Sequence, residues 1–323
     1  MTKKVELFFD SGKNISRLAL SCLQCTDPDE NRFEVNFSKV EFIHPVGISG
    51  IACLVKKIKG RGGEVALSGL TSNRNICSYL ERMHFFDIVG EEAPFRQNHH
   101  DQTRNLVELH EIKSEAEVDH CAPRLAAALL GFSIEEAAED EAGKKISYIL
   151  AELLNNSLQH GRRAKRSDAN VFVCCQHYGN GEIRLAVADG GCGIRESFNV
   201  MGAGADIGSH LAAIDKALQH RESCNRAVAV NPGEATNAGV GLTITGRVVS
   251  DAGGTMRILS GDAVITIGEN GQSGVELDQG TWFGTIVEIK VDRSKLHNAT
   301  LSSYLSDLAG EIDGQEPDIS FSD

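Results

Sequence analysis

The sequence is short of basic residues and of long apolar runs. Its 32 Lys and Arg residues are outnumbered by 45 Asp and Glu, which gives a formal net charge of −13. Because neutralising phosphate requires clustered Lys and Arg, this balance argues against a chain whose main task is to coat nucleic acid or anionic lipid. No apolar run approaches membrane-spanning length, and the run before Asp10 is too short for a secretion signal. We therefore expect a cytoplasmic protein.

Cysteine pairs at metal-binding or disulfide spacings are also scarce. The nine cysteines are odd in number and scattered, which is typical of reduced thiols rather than of a disulfide framework. Cys22 and Cys25 form one C-x-x-C, but no second pair stands at the spacing of a zinc site. Cys174 and Cys175 lie in the apolar run VFVCC, which predicts a strand.

Two domains are expected from the length of 323 residues, which exceeds the usual single-domain size. From residue 33 to about 90 the pattern alternates between strand and helix. The segments are RFEVNFSKVEFIHP (strand), VGISGIACLVKKIKG (helix), EVALSGL (strand) and SNRNICSYLERMHF (helix). The first domain is therefore predicted to be a βα unit.

The boundaries follow from changes in composition. Residues 91–104 are polar and aperiodic and include the only proline between Pro45 and Pro123. The last segment, GEIDGQEPDISFSD, is acidic and poor in apolar residues, which predicts disorder. The predicted organisation is a first domain over 1–95, a linker over 96–104, a second domain over 105–295 and an acidic tail over 296–323.

Polar residues interrupt an apolar helical pattern in the second domain, in KKISYILAELLNNSLQHG. Glu152, Asn156 and His160 recur every four residues, so they point the same way from one side of the predicted helix. Solvation of an amphipathic helix would explain them equally well when the segment is taken alone.

Two glycine-rich segments follow this helix. VADGGCGI is a predicted strand that ends at Asp189 and runs into three glycines, which allow tight turns and close approach of a planar ring, while the Asp can accept from an exocyclic amine. An ordinary strand-to-loop turn is the alternative. NAGVGLTITGRVVSDAGG predicts a loop that opens a helix from about Leu242 to Ala252, whose free N–H groups would form an anion site.

Together these segments resemble the ATP-binding domain of the GHKL superfamily of gyrase, chaperone, histidine kinase and MutL-type ATPases. ELLNNSLQHG resembles its N box, DGGCG its D-x-G-x-G box, and GVGLTITGRVVSDAGG its second glycine box. GTIVEIKV, from Gly284, resembles the terminal Gly-Thr and strand, and GTWF at Gly280 is a second candidate for it. The resemblance covers residues 105–292 and implies a Bergerat-type α/β sandwich in a two-domain α/β chain.

The resemblance implies a role for each polar position of the first motif. Asn156 would ligate a Mg²⁺ ion that bridges the phosphates of ATP, a task that suits a neutral oxygen donor. Glu152, one turn earlier, would orient or deprotonate the attacking water or hydroxyl. His160 matches a polar position of the anti-sigma-factor branch and would touch phosphate, although backbone contacts at the helix end would satisfy it equally.

The later motifs would complete the nucleotide site. Asp189 would accept a hydrogen bond from the adenine amino group, and Thr285 would assist through its hydroxyl. Residues 194–238 would form a lid over the nucleotide. The other cofactor-binding positions shape the pocket or line the phosphate site: Gly191, Gly193, Gly239, Gly241 and Leu242.

The first domain resembles a STAS domain, the fold of anti-sigma-factor antagonists, over residues 33–90. Signalling members carry a phosphate-accepting serine at the turn that here reads HPVGISG, where Pro45 and Val46 have no hydroxyl and Ser49 is a poor substitute. The domain is therefore expected to dock a protein partner or to form a homodimer through the turn from His44 to Ser49. Deletion of residues 1 to about 100 should then leave nucleotide binding largely intact.

Three functions remain open at this stage. The favoured one is an ATP-binding regulatory protein, a nucleotide-gated switch with slow hydrolysis that acts on a protein partner. The alternatives are an anti-sigma-type serine/threonine kinase and a non-catalytic nucleotide-binding module. A histidine kinase is disfavoured because HEIKS, from His110, lacks the proline that follows the phosphoacceptor box, and only 45 residues separate His110 from Asn156. Gyrase- and MutL-like activities are disfavoured because no transducer domain fits after the last motif.

Overall fold

The computed structural model describes residues 3–6, 14–24, 30–96, 104–161, 169–200, 202, 207–219 and 241–296. The N-terminal elements are β1 (Lys3–Glu6), α1 (Asn14–Gln24), β2 (Arg32–Asn36), α2 (Pro45–Gly60), β3 (Glu64–Ser68), α3 (Arg74–Arg82) and α4 (Phe85–Val89). The helices that follow are α5 (Glu115–Leu130), α6 (Ile134–Glu139), α7 (Glu141–Gly161), α8 (Gly193–Val200), α9 (His210–Leu218), α10 (Gly241–Asp251) and α11 (Arg293–Leu296). The strands that follow are β4 (Leu106–Ile112), β5 (Val171–His177), β6 (Glu182–Asp189), β7 (Thr255–Gly261), β8 (Ala263–Gly268), β9 (Gly271–Glu276) and β10 (Trp282–Asp292).

These strands form two sheets. The first is parallel, with the order β1-β2-β3. The second has seven strands in the order β4-β5-β6-β10-β7-β8-β9, and every neighbouring pair is antiparallel. The mixed α/β class is therefore as predicted. β10, near the end of the described chain, lies in the middle of the large sheet between β6 and β7.

Each face of the large sheet contributes to a different hydrophobic core. On one face, α5, α7 and α10 pack against alternate strand residues such as Leu185 and Val187. On the other face, residues such as Ala186 and Ala188 share a core with α1, α2 and the small sheet. The alternation follows from the two-residue period of a strand, which sends successive side chains to opposite faces.

Helix α2 lies between the two sheets. Every residue from Pro45 to Val55 is buried, and Ile58 is buried as well. A helix that is apolar on all sides must be covered on all sides. The large sheet covers it through β5 and β6, so the N-terminal elements pack directly on the C-terminal sheet.

This packing overturns the expectation that the turn from His44 to Ser49 is an exposed partner surface. His44 and Ser49 are both buried. The His44 imidazole is hydrogen-bonded to the Tyr178 hydroxyl at 2.9 Å, and the Ser49 hydroxyl lies 3.3 Å from the Cys174 sulfur. The turn therefore contacts the large sheet of its own chain.

Two predicted elements are shorter than the patterns indicate. The strand predicted from residue 33 through Pro45 ends at Asn36, because the Asn36 side chain accepts a hydrogen bond from Ser38 N–H and turns the chain. The helix predicted through Phe85 ends at Arg82, since His84 adopts a left-handed conformation with φ of 57° before α4 begins.

Some elements have no counterpart in the sequence-based predictions, namely β1, α1, α4, α6, α8, α11, β7, β8 and β9. Parts of the predicted linker (97–103), lid (201, 203–206 and 220–238) and tail (297–323) lie outside the described residues. Within the ranges described, no helix is long and apolar enough to cross a membrane.

Candidate functional site

The candidate site is built along α7, at the edge where α10 begins and β6 ends. Helix α7 is 21 residues long. Glu152 stands one turn before Asn156, and Gly161 is the last residue of the helix. From Glu152 to Gly161 the helix rises about 14 Å at 1.5 Å per residue. Two groups of polar atoms lie at the two ends of this span.

The first group forms where the start of α10 meets α7. A Cβ atom on Gly241 would lie 2.5 Å from the Asn156 Nδ2 atom and 3.4 Å from the Glu152 Cβ atom. Only glycine allows the backbone to come this close. The first N–H groups of a helix have no partner within the helix, so α10 brings its positive end to the Glu152–Asn156 face of α7.

Asn156 carries an unsatisfied atom at this junction. Its side chain is about nine-tenths buried, and its Oδ1 atom has no hydrogen-bond partner among the described residues. A buried carbonyl oxygen without a partner is costly, which makes it a candidate for binding something that the chain itself does not supply.

Glu152 is half-buried beside it. Burial raises the pKa of its carboxyl above the ordinary value, because removal from water disfavours the charged form. A carboxylate with a raised pKa is a better proton acceptor at neutral pH than an exposed one.

The second group centres on Asp189, the last residue of β6. Its side chain is buried; Oδ1 accepts a hydrogen bond from Gly191 N–H at 2.9 Å, and Oδ2 accepts one from Thr285 N–H at 3.1 Å. Burial raises the pKa of this carboxyl to about 7, against the opposing effects of these two N–H groups, the Thr285 hydroxyl and the charge of Lys57. A carboxylate has about four acceptor sites, so it can accept a further donor.

Glycines bring the surrounding backbone into contact with Asp189. A Cβ atom on Gly191 would lie 2.2 Å from the Gly161 Cα atom, so the turn after β6 packs on the end of α7. A Cβ atom on Gly284 would lie 2.1 Å from the Asp189 carbonyl oxygen. Gly193 has φ of +76°, which side chains rarely adopt. These glycines are required by close approach and by backbone conformation.

The structure thus brings most of the sequence-predicted residues together in two groups. One comprises Glu152, Asn156, Gly241 and the half-buried Leu242, and the other comprises Asp189, Gly191, Gly193 and Thr285. Of the two Gly-Thr candidates, the pair that contacts Asp189 is the one at Gly284, whereas Thr281 N–H donates to the Ala19 carbonyl of α1. Gly239 and the side chain of His160 lie outside the described residues.

Three residues of the second group were missed by sequence reasoning. Trp282 Nε1–H donates to the Asp189 carbonyl at 3.2 Å. The Ser260 hydroxyl accepts from Ile194 N–H and donates to the Gly284 carbonyl, each at 3.0 Å. Lys57 Nζ donates to the Gly190 carbonyl at 3.0 Å across a separation of 133 residues. No local pattern signals a contact over such a separation.

Part of the predicted lid is anchored. In α9, Ile214 is buried in the core beneath the large sheet, and the Leu211 side chain packs so closely that a Cβ atom on Gly274 would lie 2.5 Å from it. The His210 ring covers Gly261 in the same way. Residues 207–219 therefore pack on β7, β8 and β9, whereas the segment just before Gly241 lies outside the described residues.

Within the described ranges, no group of three His, Cys, Asp or Glu side chains could hold a metal ion by itself. A cation at Asn156 would therefore depend on oxygen atoms supplied by a bound ligand. The chain matches no protein-family model, no curated protein and no solved structure. The chemistry of the two groups along α7 is accordingly the basis for a functional proposal.

Proposed function

We propose that this chain binds ATP with Mg²⁺ between α7 and α10 and acts as a nucleotide-gated regulatory switch with slow hydrolysis. The observation that carries the proposal is the buried Oδ1 atom of Asn156 beside the start of α10, which has no hydrogen-bond partner in the described part of the chain. A neutral oxygen atom next to a helix N-terminus matches the needs of a magnesium-bound phosphate group, since the oxygen suits the cation and the helix end suits the anion.

The second group supports a nucleotide rather than a simple anion. Asp189 lies at the other end of the Glu152–Gly161 span, about 14 Å along the helix, a length that an extended nucleoside triphosphate covers. The Asp189 carboxylate retains acceptor capacity for an exocyclic amine, as in adenine. The glycines around it bring the end of α7 and the backbone of β10 against this carboxylate, which fixes its position.

Each residue then has one task. Asp189 accepts from the base, with Thr285 holding its carboxylate. Asn156 supplies the oxygen ligand for the metal, which would neutralise phosphate charge when bound. Glu152 holds or accepts the proton of the attacking water, a role for which its raised pKa is suited.

A switch is favoured over transfer of phosphate to the chain's own N-terminal elements. The hydroxyl of Ser49 is buried against Cys174, so it has no access to a phosphate donor in this arrangement. Two alternatives remain: transfer of phosphate to a separate protein, as in the anti-sigma-type kinase, and nucleotide binding without chemistry. The products formed from ATP distinguish them.

Calorimetric titration of the full chain with Mg-ATP tests binding, and labelled ATP tests the products. Asp189→Asn should weaken binding by the loss of a charged acceptor, about 1.5 to 3 kcal/mol. Asp262→Asn, in the turn between β7 and β8, is the matched control and should bind as the wild type does. If the wild-type chain does not bind Mg-ATP at millimolar concentration, the proposal is wrong. If the label from ATP appears on a partner protein, the activity is that of a kinase rather than of an ATPase.

A further inference from the structure

The turn that follows Asp189 is contacted from the face of the large sheet that the N-terminal elements cover. Because strand residues alternate, the Asp189 side chain lies on the same face as Val187, which packs with α7, whereas α2 covers the opposite face. Contacts from α2 therefore reach Asp189 through its backbone, from behind the candidate nucleotide site.

Lys57 makes the central contact. Its Nζ atom donates to the Gly190 carbonyl at 3.0 Å and lies 5.2 Å from the centre of the Phe283 ring. The adjacent carbonyl, that of Asp189, accepts from Trp282 Nε1–H, and the Trp282 ring stacks on Phe283 at 4.5 Å. Both carbonyls of the turn are thus fixed by side chains on the α2 face.

The surroundings of this contact are closely packed. A Cβ atom on Gly190 would lie 3.4 Å from the Cys53 sulfur and 3.5 Å from the Phe283 ring. Lys57 is only partly exposed. In such a place the Lys57 ammonium group bonds to the carbonyl instead of to water. A hydrogen bond from a charged donor is stronger than one from a neutral donor.

We propose that Lys57 is a positioning residue through which the N-terminal elements set the nucleotide affinity of the Asp189 turn. Seated α2 holds the turn so that the Asp189 carboxylate faces the base. Withdrawal of α2 releases the Gly190 carbonyl and loosens the turn. The inference rests on the proposed nucleotide site and assigns its regulation to the contact between α2 and the large sheet.

The charge of Lys57 acts in the same direction as its hydrogen bond. Burial raises the pKa of Asp189, while Gly191, Thr285 and the Lys57 charge oppose that effect. From α2, the other titratable group nearby is the Cys53 thiol, whose pKa burial raises well above its usual value, so it stays neutral. Lys57 therefore helps to keep Asp189 ionised, the form that accepts from an amine.

Linkage makes the effect reciprocal. If seating of α2 strengthens nucleotide binding, nucleotide must strengthen the seating of α2 by the same factor.

The test compares Lys57→Met with Lys59→Met in the full chain. Lys59 is on the same helix and is also bonded, but to the Val89 carbonyl and to Glu91 within the N-terminal elements. Calorimetry with Mg-ATP from pH 6 to pH 9 gives the dissociation constant and the pH midpoint of affinity. Lys57→Met should bind about tenfold more weakly at pH 7.5 and shift the midpoint to higher pH, while Lys59→Met matches the wild type.

Two further variants keep the test decisive if Lys57→Met does not fold. Lys57→Arg retains charge and donor and should restore the wild-type midpoint, whereas Lys57→Gln retains a donor without charge and should shift it upward. Equal pH midpoints of affinity in Lys57→Gln and Lys57→Arg would overturn this inference and leave the proposed function standing. Equal dissociation constants in Lys57→Met and Lys59→Met would do the same. Failure of the wild type to bind Mg-ATP would overturn the proposed function, and this inference with it.

Discussion

Gly241 and Asn156 meet where α10 begins on α7, so closely that a Cβ atom on the glycine would lie 2.5 Å from the amide nitrogen of the asparagine. The two residues belong to different helices and are 85 positions apart in the sequence. The contact brings the start of one helix, whose first N–H groups have no partner within the helix, to a buried side-chain oxygen that lacks a described partner.

Gly241→Ala should therefore weaken Mg-ATP binding by about tenfold or more, because the added methyl group must displace Asn156 or the start of α10. Gly179→Ala, in the turn between β5 and β6, is the matched control, since a Cβ atom there would meet nothing within 4 Å. Calorimetry and thermal unfolding of both variants provide the measurement. Equal affinity in the two variants would show that the junction does not bind the nucleotide.

Glu152→Gln should separate binding from turnover. The amide keeps the shape of the side chain but cannot accept a proton, so hydrolysis should fall by about 100-fold while affinity stays near the wild-type value. Glu141→Gln, an exposed position in the first turn of α7, should leave both unchanged. Turnover that survives in Glu152→Gln would favour a binding module without chemistry, provided that wild-type turnover is measurable.

The free energy of unfolding of the ligand-free chain should depend on pH because of Asp189. Its pKa is about 7 in the folded chain against an ordinary 3.8, so between these values the folded state holds a proton that the unfolded state has lost. The free energy of unfolding should therefore fall as pH rises from about 4 to about 7, by at most about 1.4 kcal/mol per pH unit from this group, and level off above.

Urea unfolding of the wild type and of Asp189→Asn measures this contribution as a difference. The variant lacks the titrating group, so the gap between the two chains should change across the window and remain constant above pH 7 to 8. A gap independent of pH throughout would show that folding does not raise the pKa of Asp189.

Removal of residues 1–96 should expose one face of the large sheet, contrary to the sequence-based expectation that nucleotide binding survives this deletion. The residues uncovered are apolar and buried in the full chain: Phe172, Cys174, Ala186, Leu259, Trp282 and Ile286. A fragment with such a face should self-associate or precipitate. Light scattering that shows a soluble monomer with wild-type affinity for Mg-ATP would contradict this packing.

Ser49 should not accept phosphate in the folded chain, because its side chain is fully buried and lies against Cys174. Mass spectrometry after incubation with Mg-ATP should find this residue unmodified. Ser49→Asp should lower the melting temperature by several degrees or prevent folding, since it buries an unpaired charge, whereas Ser49→Ala should cost only about 1 kcal/mol. Stoichiometric phosphate on Ser49 would move the kinase alternative to first place.

Local patterns were sufficient for the elements of the candidate site. The spacing of Glu152 and Asn156 predicted one helical side, and the glycines after Asp189 predicted a turn, because both depend on residues close in sequence. The strands β7 and β8 carry the apolar patterns MRILS and AVITIG, so the sequence contains a local signal for these strands as well.

The burial of α2 was also partly predictable from the sequence. The segment VGISGIACLV is apolar on all sides, which indicates a helix covered on all sides. The sequence does not say what covers it, and reading the turn at His44 as an exposed surface followed from a resemblance rather than from this composition.

The sequence by itself determined the local elements, the α/β class and the polar residues that the candidate site uses, because helix and strand periods and glycine turns are properties of neighbouring residues. Only the tertiary structure decided that α10 begins against Asn156 and that Lys57 reaches the Gly190 carbonyl. These contacts join residues that are far apart along the chain, and their partners were selected by burial of the two faces of one sheet, which no short stretch of sequence encodes.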